Sequence, residues 1–148
     1  MIAGERGRLI GRTHHFPVRV YFADTDAAGM VYHAAYLAYA ERARTEMMRV
    51  VGFDHVDLNK RLGLLLGVRA IEVDYLRPAR LDDLLDLRTT LEEMGGASMR
   101  LRQDVWRSDV EIARMTVRLA CIGADGRPAR IPDEMHVAVQ ELLTAEAI

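Results

Sequence analysis

Phe16, Val18, Val20 and Phe22 alternate with Pro17, Arg19 and Tyr21, the period of a strand that buries one face. Ala23-Asp24-Thr25-Asp26-Ala27-Ala28-Gly29 interrupts it with residues that favour turns. Over residues 32–51 the spacing becomes helical. Tyr36, Leu37, Ala40, Ala43, Met47, Val50 and Val51 fall on one stripe, while Glu41, Arg42, Arg44, Glu46 and Arg49 take the other faces. Gly52 suits the C-terminal cap. Four more alternating segments follow. Ile71, Val73 and Tyr75 share a face in residues 68–77; Leu85, Leu87, Thr89 and Leu91 mark the next. After the hairpin signal Gly95-Gly96 come Met99, Leu101 and Val105, and then Ala113, Met115, Val117, Leu119 and Cys121. Pro132 opens a short terminal helix over residues 133–145.

The order is one strand, one long helix and four strands in antiparallel succession. Strands with one apolar face must cover it, and the single long helix is the available cover. The predicted class is α+β: a five-stranded antiparallel sheet curled around one central helix. An open sheet leaves edges, which a second copy of the chain can satisfy by strand pairing. Residues 1–12 mix glycine and arginine without an apolar period and are expected to form a flexible N-terminal tail, with residues 13–148 as one domain.

Composition narrows the functional classes. The chain has 148 residues, 50% of them hydrophobic and 28% charged, which suits one globular domain. Its 20 basic and 22 acidic side chains leave a net charge of -2, so nothing global attracts nucleic acid or an anionic membrane. The single cysteine, Cys121, forms no internal disulfide and reads as an inert core thiol. His14, His15, His55 and His136 lack metal-ligand spacing. No apolar run is long enough for a membrane span, and the N-terminus lacks a secretory core; a reducing, cytoplasmic setting is expected.

Candidate chemistry lies between the first strand and the long helix, where Asp24 and Asp26 share a turn. A helix N-terminus exposes unpaired N–H groups and partial positive charge, which stabilise a carbonyl oxygen becoming an oxyanion. A nearby carboxylate can attack that carbonyl or take a proton from attacking water. Alternatively, Asp24 or Asp26 only caps the helix and shapes the turn. Gly29 allows backbone to approach a ligand closely. Arg88, Arg100, Arg102, Arg114 and Arg118 share outward strand faces; they suit solvent, and one or two suit phosphates. Glu41 is spaced to pair with Arg44 or Thr45. Trp106 and the methionines read as packing.

The run VRVYFADTDAAGMVYHAAYLAYAERARTE at residues 18–46, DYLRPARLDDLL at 74–85 and IPDEM at 131–135 resemble hotdog-fold acyl-CoA thioesterases of the 4-hydroxybenzoyl-CoA thioesterase superfamily. Within it the chain is most similar to the Tol-Pal-associated (YbgC-like) thioesterases. The resemblance implies hydrolysis of an acyl-CoA, or of an acyl carrier protein thioester, without metal or organic cofactor. It makes Asp26 the catalytic carboxylate, as nucleophile or general base, and the His33 N–H the oxyanion donor. The His33 side chain would orient substrate or transfer a proton, and Gly29 and Tyr32 would shape the substrate loop. Arg88 and Arg100 are the arginines expected on the coenzyme A phosphates. The resemblance also implies a homo-oligomer, dimer or tetramer, with the active site between subunits. Another branch of the fold uses a helix carboxylate catalytically, which is the alternative reading of Glu41, two turns beyond His33 on the helix. Two other classes remain: an acyl-thioester hydratase or dehydratase on the same fold, and a non-catalytic acyl-thioester-binding protein of the cell envelope.

Overall fold

The computed structural model describes residues 7–144. The elements are β1 (Arg8–Ile10), β2 (Thr13–Arg19), α1 (Ala35–Val50), α2 (His55–Leu62), β3 (Leu65–Tyr75), β4 (Leu84–Met94), β5 (Ser98–Arg107), β6 (Val110–Ile122) and α3 (Asp133–Thr144). The strands form one antiparallel sheet in the order β1-β2-β4-β5-β6-β3. It wraps α1, the expected hotdog arrangement, with six strands rather than five.

The additional strand falls within the expected tail. Arg8–Ile10 pairs with β2 through a turn at Gly11, whose φ of 61° places it in the left-handed region. Three residues bounded by glycines carry too little periodicity to announce a strand. The rest of that tail, residues 1–6, lies outside the described residues, as does residue 145 of the expected terminal helix. Phe22 leaves the first strand for a 3-10 turn over Phe22–Asp24. The helix α2 was not expected: it is only eight residues long, capped by the Asp54 carboxylate accepting from the Asp57 N–H at 2.8 Å and closed by Gly63 at φ 65°.

Strand alternation carries directly into burial. Leu85, Leu87 and Leu91 of β4, Leu101 and Val105 of β5, and Met115, Val117 and Leu119 of β6 are buried. They meet Tyr36, Ala40, Ala43 and Met47 of α1 in one core, and each large apolar side chain buried there stabilises by about 1.5–3 kcal/mol. The helix stripe is rotated from its expected setting. Tyr39, Arg44 and Met48 are buried, whereas Leu37 and Val50 are 36% exposed. A sheet that curls around a helix covers a wider sector than one apolar stripe, so residues beside the stripe are buried too. Arg44, expected on a polar face, donates from Nη1 to Gln103 Oε1 at 2.9 Å. Gln103 Nε2 donates in turn to the Ala40 carbonyl at 3.0 Å and to Thr89 Oγ1 at 2.9 Å, tying helix to sheet with polar groups inside the core.

Candidate active site

The turn between β2 and α1 is built by its own hydrogen bonds. The Asp26 N–H donates to the Met30 carbonyl at 2.9 Å and the Gly29 N–H to the Asp26 carbonyl at 3.0 Å. Gly29 holds φ at 79°, which a side chain would strain. The loop is anchored to the segment after β3: the Val31 N–H donates to the Ala79 carbonyl at 2.8 Å, and Met30 bridges Arg80.

The two aspartates divide their work here. The Asp24 carboxylate accepts from the Tyr21 N–H at 2.9 Å and so closes the 3-10 turn. Asp26 Oδ1 accepts from the Ala28 N–H at 2.9 Å, and its other oxygen takes no hydrogen bond from the described residues. Neither caps α1, whose N-cap, Ala34, has no capping side chain. The Tyr32 N–H is spent on the Asp24 carbonyl at 2.8 Å, but those of His33 and Ala34 reach no acceptor among the described residues. An open carboxylate and open helix N–H groups therefore belong to one loop.

Asp26 and His33 line a cleft of about 350 Å³ together with Tyr36, Tyr75, Leu76 and Arg77. Asp26 is half-buried and His33 exposed. The His33 ring lies 4.3 Å from that of Tyr32 and 6.4 Å, edge-on, from that of Tyr75. Tyr36 is buried beneath, its hydroxyl accepting from the Ala79 N–H at 3.4 Å, and burial raises its pKa. Gly29 and Tyr32 belong to the same loop, but it is Met30 and Val31 between them that line the cleft.

The expected phosphate-binding arginines lie elsewhere. Arg88 donates to Asp86 at 3.0 Å and its guanidinium stacks 4.6 Å from the Trp106 ring centre. Arg100 pairs with Glu93 at 2.8 Å and Glu92 at 3.7 Å. Arg102 pairs with Asp104 and Arg114 with Glu111, so much of this arginine face is charge-compensated. Glu41 is exposed and accepts from Thr45 at 3.3 Å, one of its two expected pairings. Cys121 is buried, which raises its thiol pKa. Among the described residues no cluster of three or more His, Cys, Asp or Glu side chains is arranged to hold a metal ion. A larger depression, about 460 Å³, lies over β2 and β4 and contains the His15–Asp86 pair at 2.9 Å. The smaller cleft is the candidate site because it joins a carboxylate to unpaired helix N–H groups. Tyr75 and Arg77 are members that the sequence does not mark as site residues: periodicity gives Tyr75 only a place on the apolar face of a strand, and the DYLRPAR segment carries both.

A family model described as the thioesterase-like superfamily matches residues 20–139. The chain belongs to this superfamily. It is 40% identical over 128 residues to the acyl-CoA thioesterase YbgC of Haemophilus influenzae, covering 86% of this chain and 94% of that one. It is 47% identical over 91 residues to the acyl-CoA thioester hydrolase YbgC of Escherichia coli, covering 61% of this chain and 66% of the relative. The crystal structure of a probable thioesterase from Bartonella henselae superposes with a TM-score of 0.78 at 36% identity, over 81% of this chain and 99% of that one. As a member of the superfamily the chain is a thioester hydrolase.

Proposed function

We propose that Asp26 and the start of α1 at His33 carry out the hydrolysis of an acyl-CoA to a free carboxylic acid and coenzyme A. The observation that carries this reading is the open Asp26 oxygen in the same cleft as the unpaired His33 N–H. The Asp26 carboxylate adds to the thioester carbonyl, or draws a proton from the water that adds. Both routes place negative charge on the carbonyl oxygen, and the His33 N–H at the positive end of α1 is the donor for it. Collapse of the tetrahedral intermediate breaks the C–S bond and expels the coenzyme A thiolate, which takes up a proton. The general-base route gives the free acid directly, whereas in the nucleophilic route a water then hydrolyses the acyl–Asp26 anhydride to the acid and restores the carboxylate. The chemistry needs neither a metal nor an organic cofactor. The exposed imidazole of His33 serves to orient substrate or move a proton, while Gly29 and Tyr32 hold the loop's shape. Arg77, the cation lining the cleft, is the group for the anionic part of coenzyme A. The YbgC relatives carry acyl-CoA in their names, which supports this substrate class over a carrier-protein thioester.

The working unit is a homo-oligomer built on paired β3 strands. β3 ends the sheet order, and Leu65, Val68 and Tyr75 along it, with Leu76 just beyond, are 41–50% exposed. A second copy added to that edge covers these side chains and closes one wall of the cleft. A reducing cytoplasm suits the buried Cys121 thiol and a coenzyme A substrate.

Purified protein assayed with a panel of acyl-CoA esters, with a thiol reagent reading coenzyme A release, tests the reaction. Turnover of at least one ester by wild type, lost in Asp26→Asn, is expected; no turnover across the panel overturns it. Light scattering at assay concentration is expected to give a dimer or larger, and a fully active monomer overturns the paired-strand unit.

A further inference from the structure

The hydroxyl of Tyr75, at the end of β3, donates a 2.7 Å hydrogen bond to the His33 carbonyl, 42 residues away in the chain. This bond crosses from the sheet to the turn that opens α1. Its ring meets two others in the cleft, edge-on to His33 at 6.4 Å and inclined at 61° to Tyr36 at 5.6 Å. The strand end is itself fixed: the Leu76 and Arg77 N–H groups both donate to the Ile112 carbonyl, at 2.9 and 3.1 Å. Tyr75 therefore reaches the helix start from a well-held backbone.

We propose that Tyr75 is a positioning residue for the oxyanion donors, clamping the His33–Ala34 peptide so that the free N–H groups at the start of α1 face the reacting carbonyl. A trans peptide is planar, with its N–H directed opposite its C=O. Fixing the His33 carbonyl therefore fixes the direction of the Ala34 N–H. The same bond polarises that peptide and strengthens its N–H as a donor, the cooperativity of linked hydrogen bonds. The His33 N–H lies one Cα away, and its orientation is limited by the same clamp and by the ring contacts on the imidazole. No side chain caps α1, so the Tyr75 hydroxyl supplies from outside the helix an anchor that its own N-terminal residues lack.

This inference rests on the thioesterase reading above. The test is Tyr75→Phe in the full-length protein, which keeps the ring and removes only the donor. Loss of a pre-organising hydrogen bond is expected to lower kcat on the order of tenfold with KM within about twofold, because it acts on the transition state and not on ground-state binding. The thermal midpoint is expected to stay near that of wild type, since Tyr75→Phe keeps the ring and its contacts and removes a single hydrogen bond. In 15N-labelled protein the Ala34 amide proton is expected to move upfield in Tyr75→Phe. Tyr75→Leu, which also removes the ring, is expected to lower kcat further. An unchanged kcat, an unmoved Ala34 amide, or a loss confined to KM overturns the proposal, the last by making Tyr75 a substrate contact. Activity lost in Asp26→Asn but intact in Tyr75→Phe overturns this proposal alone. A wild-type protein inactive on every ester overturns the thioesterase reading and this role with it.

Discussion

Asp24 and Asp26 stand two residues apart in one turn, and each carboxylate accepts one backbone N–H, Asp24 from Tyr21 and Asp26 from Ala28, yet only Asp26 lines the cleft with His33. A carboxylate in the same cleft as the start of α1 can act on a carbonyl bound there as nucleophile or base, whereas one outside the cleft serves the turn. The pair thus separates the scaffold of the loop from its chemistry.

Asp26→Asn keeps the side-chain volume and removes the base. Turnover is expected to fall by about 10²–10⁴, the range for a lost general base. Asp24→Asn retains a carbonyl oxygen for the Tyr21 N–H and is expected to stay within about tenfold of wild type. Initial rates of thiol release on one acyl-CoA compare the two. Equal losses would return both residues to a shared structural role.

His33 offers two functions that one substitution separates. Any residue except proline supplies the backbone N–H, so His33→Ala leaves the oxyanion donor in place. The imidazole is what His33→Ala removes, and with it any proton transfer that the side chain carries out. His33→Ala is expected to reduce kcat less than Asp26→Asn and to alter the acidic limb of kcat/KM against pH. Superimposable profiles would confine His33 to its backbone role, and a loss exceeding that of Asp26→Asn would make the imidazole the principal base.

Much of this site is legible in the chain because it is local. A strand, a turn with two aspartates and a glycine, and a helix start bring Asp26 and His33 together over eight residues. The alternation in β4, β5 and β6 is equally plain, since each has one wet face and one buried face. What is not legible is set by long-range packing. The buried sector of α1 depends on how far the sheet curls, so Arg44 reads as a surface residue and is 7% exposed. Tyr75 looks like one more aromatic on a strand until the fold carries it to the His33 carbonyl. β1 and α2 are too short for periodicity to register.

Arg44 and Gln103 are expected to act as a unit in stability. Arg44 has no carboxylate within 4.0 Å among the described residues, and burial lowers its guanidinium pKa, with Glu41 opposing from a distance. Removing Arg44 leaves the buried Gln103 oxygen unpaired; removing Gln103 leaves the cation and the Thr89 hydroxyl without a partner. Arg44→Met and Gln103→Leu are each expected to cost about 1–3 kcal/mol, and together less than their sum by roughly 0.5–3 kcal/mol. Urea unfolding of the two single variants and the double variant closes the cycle. Simple additivity would show that the 2.9 Å bond contributes nothing beyond its separate ends.

The remaining prediction decides which arginine reads the anionic part of coenzyme A. Arg77 lines the cleft, and among the described residues its guanidinium makes one hydrogen bond, a long one of 3.3 Å to the Glu111 carbonyl. Its guanidinium keeps donors available for a phosphate. Arg88 and Arg100 are bound to carboxylates on the sheet, and Arg88 is also stacked on Trp106, so recruiting either would first break these contacts. Arg77→Ala is therefore expected to raise KM for an acyl-CoA by about five- to thirtyfold at low salt, with kcat within about twofold, and the difference is expected to shrink as salt screens the pair. Arg88→Ala and Arg100→Ala are expected to leave KM within about twofold. An acyl thioester of N-acetylcysteamine, which has the reacting group but no phosphates, provides the control. Arg77→Ala and wild type are expected to handle it alike. If Arg77→Ala weakens both substrates equally, the guanidinium shapes the cleft instead of reading phosphate. If only Arg88→Ala or Arg100→Ala raises KM, the phosphates lie across the outer face of the sheet, where their ion pairs must open to admit them.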